Sequence, residues 1–215
     1  MDQLAKLESA YNSFKEIYKA LPGDFTSTSI PLFGTIADGI SILYGDGNNI
    51  IDNGTNSQSR YESLIALQHL SLAGLIAGNF SGDWSNNAAL RFLPLYNDKG
   101  YYFGNVSISN NVSSNVDFTN NRSVIFYSRI FDSNSNGVIN VSSETLLSVI
   151  SPTDMYKIDY KYDDGFPNTG NVLSFNGTDN SSGCISQLTT PNTYKISNSD
   201  GCYFNVILDK SFYDG

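Results

Sequence analysis

The chain has few charged residues, and basic residues are the scarcest of them. Only 12 of its 215 residues are Lys or Arg, against 21 Asp or Glu, so the formal net charge is -9. A protein that binds nucleic acid without sequence preference needs clustered Lys and Arg to neutralise phosphates. The composition therefore argues against a nucleic-acid partner and against an anionic membrane surface. The second half is rich in Asn, Ser, Thr, Gly and Tyr, which suits an extracellular surface better than a cytosolic one.

Long apolar runs and catalytic side-chain patterns are also lacking. No apolar stretch is long enough to cross a bilayer, and residue 1 is not followed by a cleavable signal pattern. His69 is the only histidine, and no Ser or Cys beside it has a nucleophile pattern, so we expect a hydrogen-bonded, half-buried structural histidine. Asp163 and Asp164 are adjacent and should point apart, which argues against a glycosidase pair. The sequence predicts a protein that is not an enzyme.

Cysteine is nearly absent. Cys184 and Cys202 lie in strand-rich sequence, and no second pair gives them the spacing of a metal site. They can form a disulfide or a buried free pair, and the hairpin-like segments around them favour the disulfide. A disulfide would stabilise the fold by about 3 kcal/mol and would indicate an oxidising compartment. Because no secretion signal is visible, we expect the natural protein to begin upstream of Met1.

What the sequence does have is a regular apolar stripe at its start. The stripe residues recur at spacings of three and four, which is typical of one face of a helix. Pro22 and Gly23 are predicted to stop this helix after Leu21. A stripe about 30 Å long needs a wide surface such as a sheet to cover it. The stripe consists of Leu4, Leu7, Tyr11, Phe14, Tyr18 and Leu21.

Two more helices and several strands are predicted. A capping box of Ser59 and Glu62 begins the second helix, which is expected to end at Gly78. Ser151 caps the third, with Asp154 completing the box, and this helix should run to about residue 160. Strand patterns then fill much of the remainder, so the fold class is α+β with an antiparallel sheet. The strand segments are LRFLPLY, YYFGNVSI, SVIFYSRIF, GNVLSF, TYKI and YFNVIL.

The stretch DSNSNGVINVSSE resembles a calcium-binding loop. Its ligand positions hold oxygen-bearing groups in the expected order, although Ser143 occupies the place of the final acid and Glu144 is one position late. A weak calcium site and an Asn/Gly-rich turn are both compatible with this pattern. A second candidate loop has Asp46, Asn48, the Ile50 carbonyl and Asp52. The first candidate consists of Asp132, Asn134, Asn136, Val138, Asn140 and Glu144.

Four blocks in order resemble bacterial prepilin-type proteins, which are the type IV pilins and type II secretion pseudopilins. The blocks are AYNSFKEIYKALPGDF (10–25), GDGNNII (45–51), ESLIALQHLSLAGLIAGNFSG (62–82) and SPTDMYKIDYKYDDGFPNTGNV (151–172). The resemblance implies a pilin-like α+β fold. In such a fold a long N-terminal amphipathic helix packs on an antiparallel sheet, with a second helix and a loop-rich insert. It also implies a C-terminal region closed by Cys184 and Cys202, and a structural turn at DDGFPNTG.

The resemblance divides the chain into residues 1–25, the lower half of a spine helix, and residues 26–215, a globular domain. The upper apolar half-helix would be missing from this chain. The implied function is a structural filament subunit, anchored in the inner membrane before assembly and then periplasmic or on the cell surface. Its partners would be copies of itself and other subunits, and no cofactor is required. The alternative is a free secreted adhesin or a carbohydrate- or protein-binding module.

Overall fold

The structure is a computed structural model that describes residues 2–26, 42–51, 62–80, 82, 93–96, 99–106, 122–130, 146–177, 183–186 and 191–208. Within these ranges the chain forms three helices and eight strands, which confirms the predicted α+β class. The chain divides into two compact units. The first consists of residues 1–93, 102–106 and 121–125, and the second of residues 94–101, 107–120 and 126–215.

The larger sheet has six strands. Its order is β1-β2-β3-β8-β5, and β4 pairs with β3 in antiparallel orientation. Strands β5 and β8 are antiparallel, with Val172 opposite Val206 and Asn176 opposite Cys202. Two short strands, β6 (Ile185–Ser186) and β7 (Thr193–Tyr194), form a separate antiparallel pair. The strands of the larger sheet are β1 (Leu93–Tyr96), β2 (Lys99–Val106), β3 (Arg122–Ile130), β4 (Leu146–Leu147), β5 (Val172–Asn176) and β8 (Cys202–Ile207).

Helix α1 (Asp2–Tyr18) buries the stripe predicted from the sequence. Tyr11 and Phe14 have no exposed surface, and the Tyr11 ring stacks on Phe103 of β2 with ring centroids 6.1 Å apart. Phe14 also contacts Phe25, with centroids 5.7 Å apart. Tyr18 is the only stripe residue that stays partly exposed. The five fully buried stripe positions are Leu4, Leu7, Tyr11, Phe14 and Leu21.

The predicted end of α1 at Leu21 is wrong. The helix ends at Tyr18, and Lys19 adopts a left-handed backbone with φ 55° while its N–H still bonds to the Lys15 carbonyl over 3.0 Å. The physical reason is Pro22, whose ring would clash with the carbonyl four residues earlier and which disfavours helical geometry at Leu21. Leu21 remains part of the buried core, although it lies outside the helix.

Helix α2 (Glu62–Leu72) is almost wholly buried along its length. Its predicted end at Gly78 is wrong, because Gly74 at φ 69° terminates it. The N–H of Leu75 bonds to the Leu70 carbonyl and the N–H of Gly74 bonds to the Ser71 carbonyl, each over 2.9 Å. This pair of bonds is the Schellman motif, which requires the left-handed conformation that glycine adopts at low cost. The proposed cap Ser59 lies outside the described residues.

Helix α3 (Pro152–Tyr162) confirms the third helix prediction and extends two residues further than expected. Ser151 Oγ accepts the N–H of Asp154 over 3.1 Å, which confirms Ser151 as the predicted cap. Asp154 Oδ2 accepts the Ser151 hydroxyl over 3.0 Å instead of the backbone N–H that a full capping box would use. Met155 and Asp159 point inward, whereas Tyr156 and Tyr160 are exposed.

The predicted disulfide between Cys184 and Cys202 is also present, and both cysteines are fully buried. Among the described residues no helix is long and apolar enough to span a bilayer.

Candidate functional site

A concave surface site lies in the second unit, between α3, the turn that follows it, and β7. Its volume is about 520 Å³, within the range of small-molecule pockets. We call it the aromatic pocket, because four aromatic residues line it. Its lining residues are Pro152, Thr153, Tyr156, Tyr160, Asp164, Gly165, Phe166, Thr193, Tyr194, Lys195 and Ile196.

One wall of the aromatic pocket is built by local helix geometry. Tyr156 and Tyr160 are four residues apart on α3, so their side chains lie on one face. Their ring centroids are 5.8 Å apart with an interplanar angle of 35°. Tyr194 of β7 meets Tyr156 edge-on at 6.1 Å and 61°. The exposed fractions of Tyr156 and Tyr160 are 45% and 69%, and that of Phe166 is 38%. Ring surface is therefore available to a ligand.

The turn after α3 is the DDGFPNTG segment, which is a structural turn as the sequence predicted. Asp163 and Asp164 do not point apart as expected, because a carboxylate oxygen of one lies within 4.8 Å of a carboxylate oxygen of the other. Asp163 Oδ2 accepts the N–H groups of Asn171 and Val172, the latter over 2.8 Å. Asp164 Oδ1 accepts the N–H of Phe166 over 2.8 Å, and its other oxygen accepts the Thr169 hydroxyl. Both glycines of the segment, at 165 and 170, have positive φ. The two carboxylates thus hold the turn, and the turn carries Phe166 to the pocket.

Beneath the aromatic pocket is a buried polar network. The Tyr194 hydroxyl donates to Asp159 Oδ2 over 2.5 Å and lies 2.8 Å from the Ser174 hydroxyl. The N–H of Gly165 donates to Asp159 Oδ1 over 3.3 Å. Burial raises the pKa of Asp159 to about 7, although the hydrogen bond from Tyr194 opposes this change. The same burial and the neighbouring carboxylate raise the pKa of Tyr194 above its ordinary value. The network fixes the Tyr194 ring in place.

The chain was compared with protein-family models, with curated proteins and with solved structures. None of the three gives a match. The aromatic pocket must therefore be interpreted from its own residues and geometry.

The second candidate calcium loop is arranged around a carboxylate that the sequence reasoning did not single out. Asp24 accepts the N–H groups of Gly47, Asn48 and Asn49 at 2.7 to 2.9 Å. Burial raises the pKa of Asp24 although these three bonds lower it. Asp46 Oδ1 accepts the N–H of Asn48 over 3.1 Å, as in an Asx turn. These side chains therefore hold the loop, and Asp52 lies outside the described residues.

Carboxylate oxygens of Asp24, Asp46 and Glu62 lie within 4.8 Å of one another. Glu62 Oε1 accepts the Asp46 N–H over 3.0 Å, so the cluster also closes the loop onto α2. The first candidate calcium loop, from Asp132 to Glu144, lies entirely outside the described residues. Calcium binding there stays a prediction.

His69 is a structural residue, as the sequence predicted, and its side chain is fully buried rather than half-buried. Its Nδ1 accepts the N–H of Gly23 over 2.9 Å, and its Nε2 lies 2.9 Å from the Leu43 carbonyl. Only the neutral tautomer with hydrogen on Nε2 can satisfy both contacts. Burial lowers the pKa of His69 to about 4. The ring stacks on Phe14 with centroids 6.1 Å apart, so no substrate can reach it.

Sequence reasoning missed the aromatic pocket. The signal that could have revealed it is the pair Tyr156 and Tyr160, two aromatic rings four residues apart on an otherwise polar helix face. Tyr194 and Ile196 could not have been placed beside them, because that contact depends on how β7 packs on α3.

Proposed function

We propose that this chain is the globular part of a prepilin-type filament subunit, of the type IV pilus or the type II secretion pseudopilus. The proposal rests on which faces of α1 are buried and which are exposed. Its stripe is buried, with Tyr11 stacked on Phe103 of β2 and Phe14 stacked on His69 of α2, and its opposite face is exposed. That arrangement suits the lower half of a spine helix that continues upward into a filament core.

Other features support the same function. Ile17 is 62% exposed on α1 and would be available for a contact with a neighbouring subunit. The C-terminal region is closed by the Cys184–Cys202 disulfide, as the resemblance to pilins implies. Identical subunits joined by head-to-tail contacts that do not close form an open helical fibre. The subunit would be anchored in the inner membrane before assembly, and its globular part would be periplasmic or on the cell surface.

The test is incorporation into a filament. The whole chain is joined at Asp2 to the leader and apolar half-helix of an established pilin and expressed with that pilin's assembly machinery. We expect processing by the prepilin peptidase and recovery of the chain in sheared filaments. A processed, folded chain that stays in the membrane fraction would contradict the proposal.

A matched pair of variants sharpens this test. Ile17→Glu and Asn12→Glu each add one negative charge at an exposed position of α1. If Ile17 contacts a neighbouring subunit, only Ile17→Glu should reduce incorporation. Equal incorporation of the two variants would show that the exposed isoleucine has no role in assembly.

The second candidate function is a free secreted binding module, and the aromatic pocket favours it. Exposed rings around a concave site are more typical of ligand binding than of an inert surface. A secreted module would be recovered outside the cell as a monomer and absent from filaments. The two functions are therefore separated by where the natural protein is found.

A further inference from the structure

We propose that the aromatic pocket binds a quaternary ammonium group of the trimethylammonium type. Three features indicate this ligand class: the aromatic rings, the acidic charges, and hydrogen-bonding groups around the pocket that already have partners within the chain. It does not depend on filament assembly, so the two proposals can fail separately.

The rings have the arrangement that such a cation needs. Tyr156 and Tyr160 are inclined to each other by 35°, and Tyr194 is inclined to Tyr156 by 61°, so their faces are not parallel. Phe166 adds a further lining ring from the turn. A methylated ammonium cannot donate hydrogen bonds but is attracted by the negative face of an aromatic ring, and several inclined rings provide several faces.

The charges near the aromatic pocket are acidic. Asp164 is a lining residue, and a carboxylate oxygen of Asp163 lies within 4.8 Å of one of its oxygens. Lys195 is the one cationic residue in the lining. The charged end of Lys195 lies beside Gly183, which does not line the pocket: Nζ is 3.1 Å from the position that a Cβ on Gly183 would occupy. Together with a chain charge of -9, this arrangement favours a cation over an anion.

An anion is disfavoured for a second reason. The pocket includes the first turn of α3, where free N–H groups would attract negative charge. Here the Thr153 N–H bonds to the Ser197 carbonyl and the Asp154 N–H bonds to Ser151 Oγ. Those donors already have partners within the chain, so they offer little to an anionic ligand.

A sugar fits less well than an organic cation. Recognition of a sugar needs several polar groups that can reach its hydroxyls. The Thr153 hydroxyl donates to the Ser197 carbonyl over 2.8 Å, and the Tyr194 hydroxyl is held by Asp159. Both oxygens of Asp164 accept bonds within the turn. Aromatic and aliphatic surface therefore remains as the main contact, and a trimethylammonium group matches that surface and the acidic surroundings.

The test compares choline with 3,3-dimethylbutan-1-ol, a neutral molecule of nearly the same shape, by isothermal titration calorimetry on the whole chain. We expect choline to bind at least about tenfold more tightly, because only the cation gains from the ring faces and carboxylates. Equal affinity of the two compounds would overturn the proposal in favour of a nonspecific apolar cleft. Absence of choline binding up to tens of millimolar would overturn it as well.

Variants locate the binding site. Tyr160→Leu and Asp164→Asn should each weaken choline binding by about threefold to tenfold. Tyr162→Leu is the matched control, because Tyr162 is exposed on α3 but does not line the pocket. Circular dichroism melting establishes that each variant is folded. Equal choline affinity of wild type, Tyr160→Leu and Tyr162→Leu would place binding elsewhere and overturn the assignment.

Two further ligands distinguish whether the trimethylammonium group belongs to a soluble molecule or to a lipid headgroup. Phosphocholine in solution and phosphatidylcholine vesicles carry the same headgroup cation. Binding of free choline and phosphocholine without vesicle binding would identify a soluble or polymer-linked ligand. Vesicle binding that free choline competes away would identify a lipid headgroup. Both results support the proposed chemistry.

Discussion

The Tyr194 hydroxyl donates to Asp159 Oδ2 over 2.5 Å, and this bond joins β7 to α3 below the aromatic pocket. Asp159 is fully buried, and Asp163 and Asp164 are close to it. Its carboxyl group consequently binds a proton more tightly in the folded chain than in the unfolded chain. That difference couples the stability of the second unit to pH.

The pH dependence has a definite sign. Burial raises the pKa of Asp159 from 3.8 to about 7, so between these values the folded chain holds a proton that the unfolded chain releases. Asp159 therefore contributes roughly 2 to 4 kcal/mol to the free energy of unfolding below about pH 4. This contribution is lost as the pH rises through about 7. Asp159→Asn keeps the shape but does not titrate. We expect the free energy of unfolding of wild type, relative to this variant, to fall from pH 4 to pH 8 in urea titrations. A rise would contradict the prediction.

His69 should make the stability of the first unit depend on pH in the opposite direction. Burial lowers its pKa from 6.5 to about 4, so its contribution is present above about pH 6.5 and is lost as the pH falls through about 4. Since His69 is the only histidine, its ring nitrogens give one set of NMR signals. We expect the neutral tautomer with hydrogen on Nε2 to persist below pH 5. A titration midpoint near 6.5 would show that the contacts with Gly23 and Leu43 do not hold the ring.

Gly23 should not tolerate a side chain. It has φ 94°, and a Cβ would lie 2.3 Å from the Glu62 carbonyl oxygen, a backbone atom that cannot move aside easily. Gly23→Ala should lower the free energy of unfolding by about 2 to 4 kcal/mol. Gly74→Ala is the control, with φ 69° and nothing within 4 Å, and should cost about 1 kcal/mol. Equal losses in chemical denaturation would mean that the contact with Glu62 is unimportant.

The disulfide should stabilise the second unit. Cys184 and Cys202 are 18 residues apart, and a loop of that size corresponds to about 3 kcal/mol on the chain-entropy account. Cys184→Ser combined with Cys202→Ser should lower the free energy of unfolding by about that amount. A reducing agent should affect wild type in the same way but leave the double variant unchanged. Unaltered stability of wild type on reduction would contradict the prediction.

The calcium loop predicted from Asp132 to Glu144 is tested by thermal melting. Few of its ligand positions are acidic, so we expect weak binding and a melting temperature that rises by about 1 to 3 °C at millimolar calcium. Asp132→Ala should remove the rise, and Glu16→Ala, which removes an exposed acid from α1, should not. Magnesium at the same concentration controls for ionic strength. No rise in wild type, or an equal rise with magnesium, would discard the site.

Local patterns in the sequence predicted those features that depend on neighbouring residues. The stripe of α1 and the Ser151 cap needed only helix periodicity and cap chemistry. The end of α1 was misplaced because the effect of Pro22 reaches back to Tyr18. The end of α2 was misplaced because Gly74 and Gly78 are equally suitable glycines by sequence, and only the hydrogen bonds to Leu70 and Ser71 distinguish them.

Features that depend on distant contacts could not be predicted. Strands β4 and β6 have two residues each, which is too short to show a period of two. The role of Asp24 depends on a loop more than 20 residues away in sequence. The aromatic pocket likewise needs Tyr194 to reach α3, 35 residues from Asp159.

The contacts of Asp24 have a consequence for the loop at 45–51. Three successive backbone amides that converge on one point form a nest, a shape with which many proteins hold phosphate. In this chain the nest already contains the carboxylate of Asp24, so the loop is filled by its own residue. A phosphorylated ligand would have to displace the carboxylate of Asp24 before it could bind these three amides of the GDGNN segment.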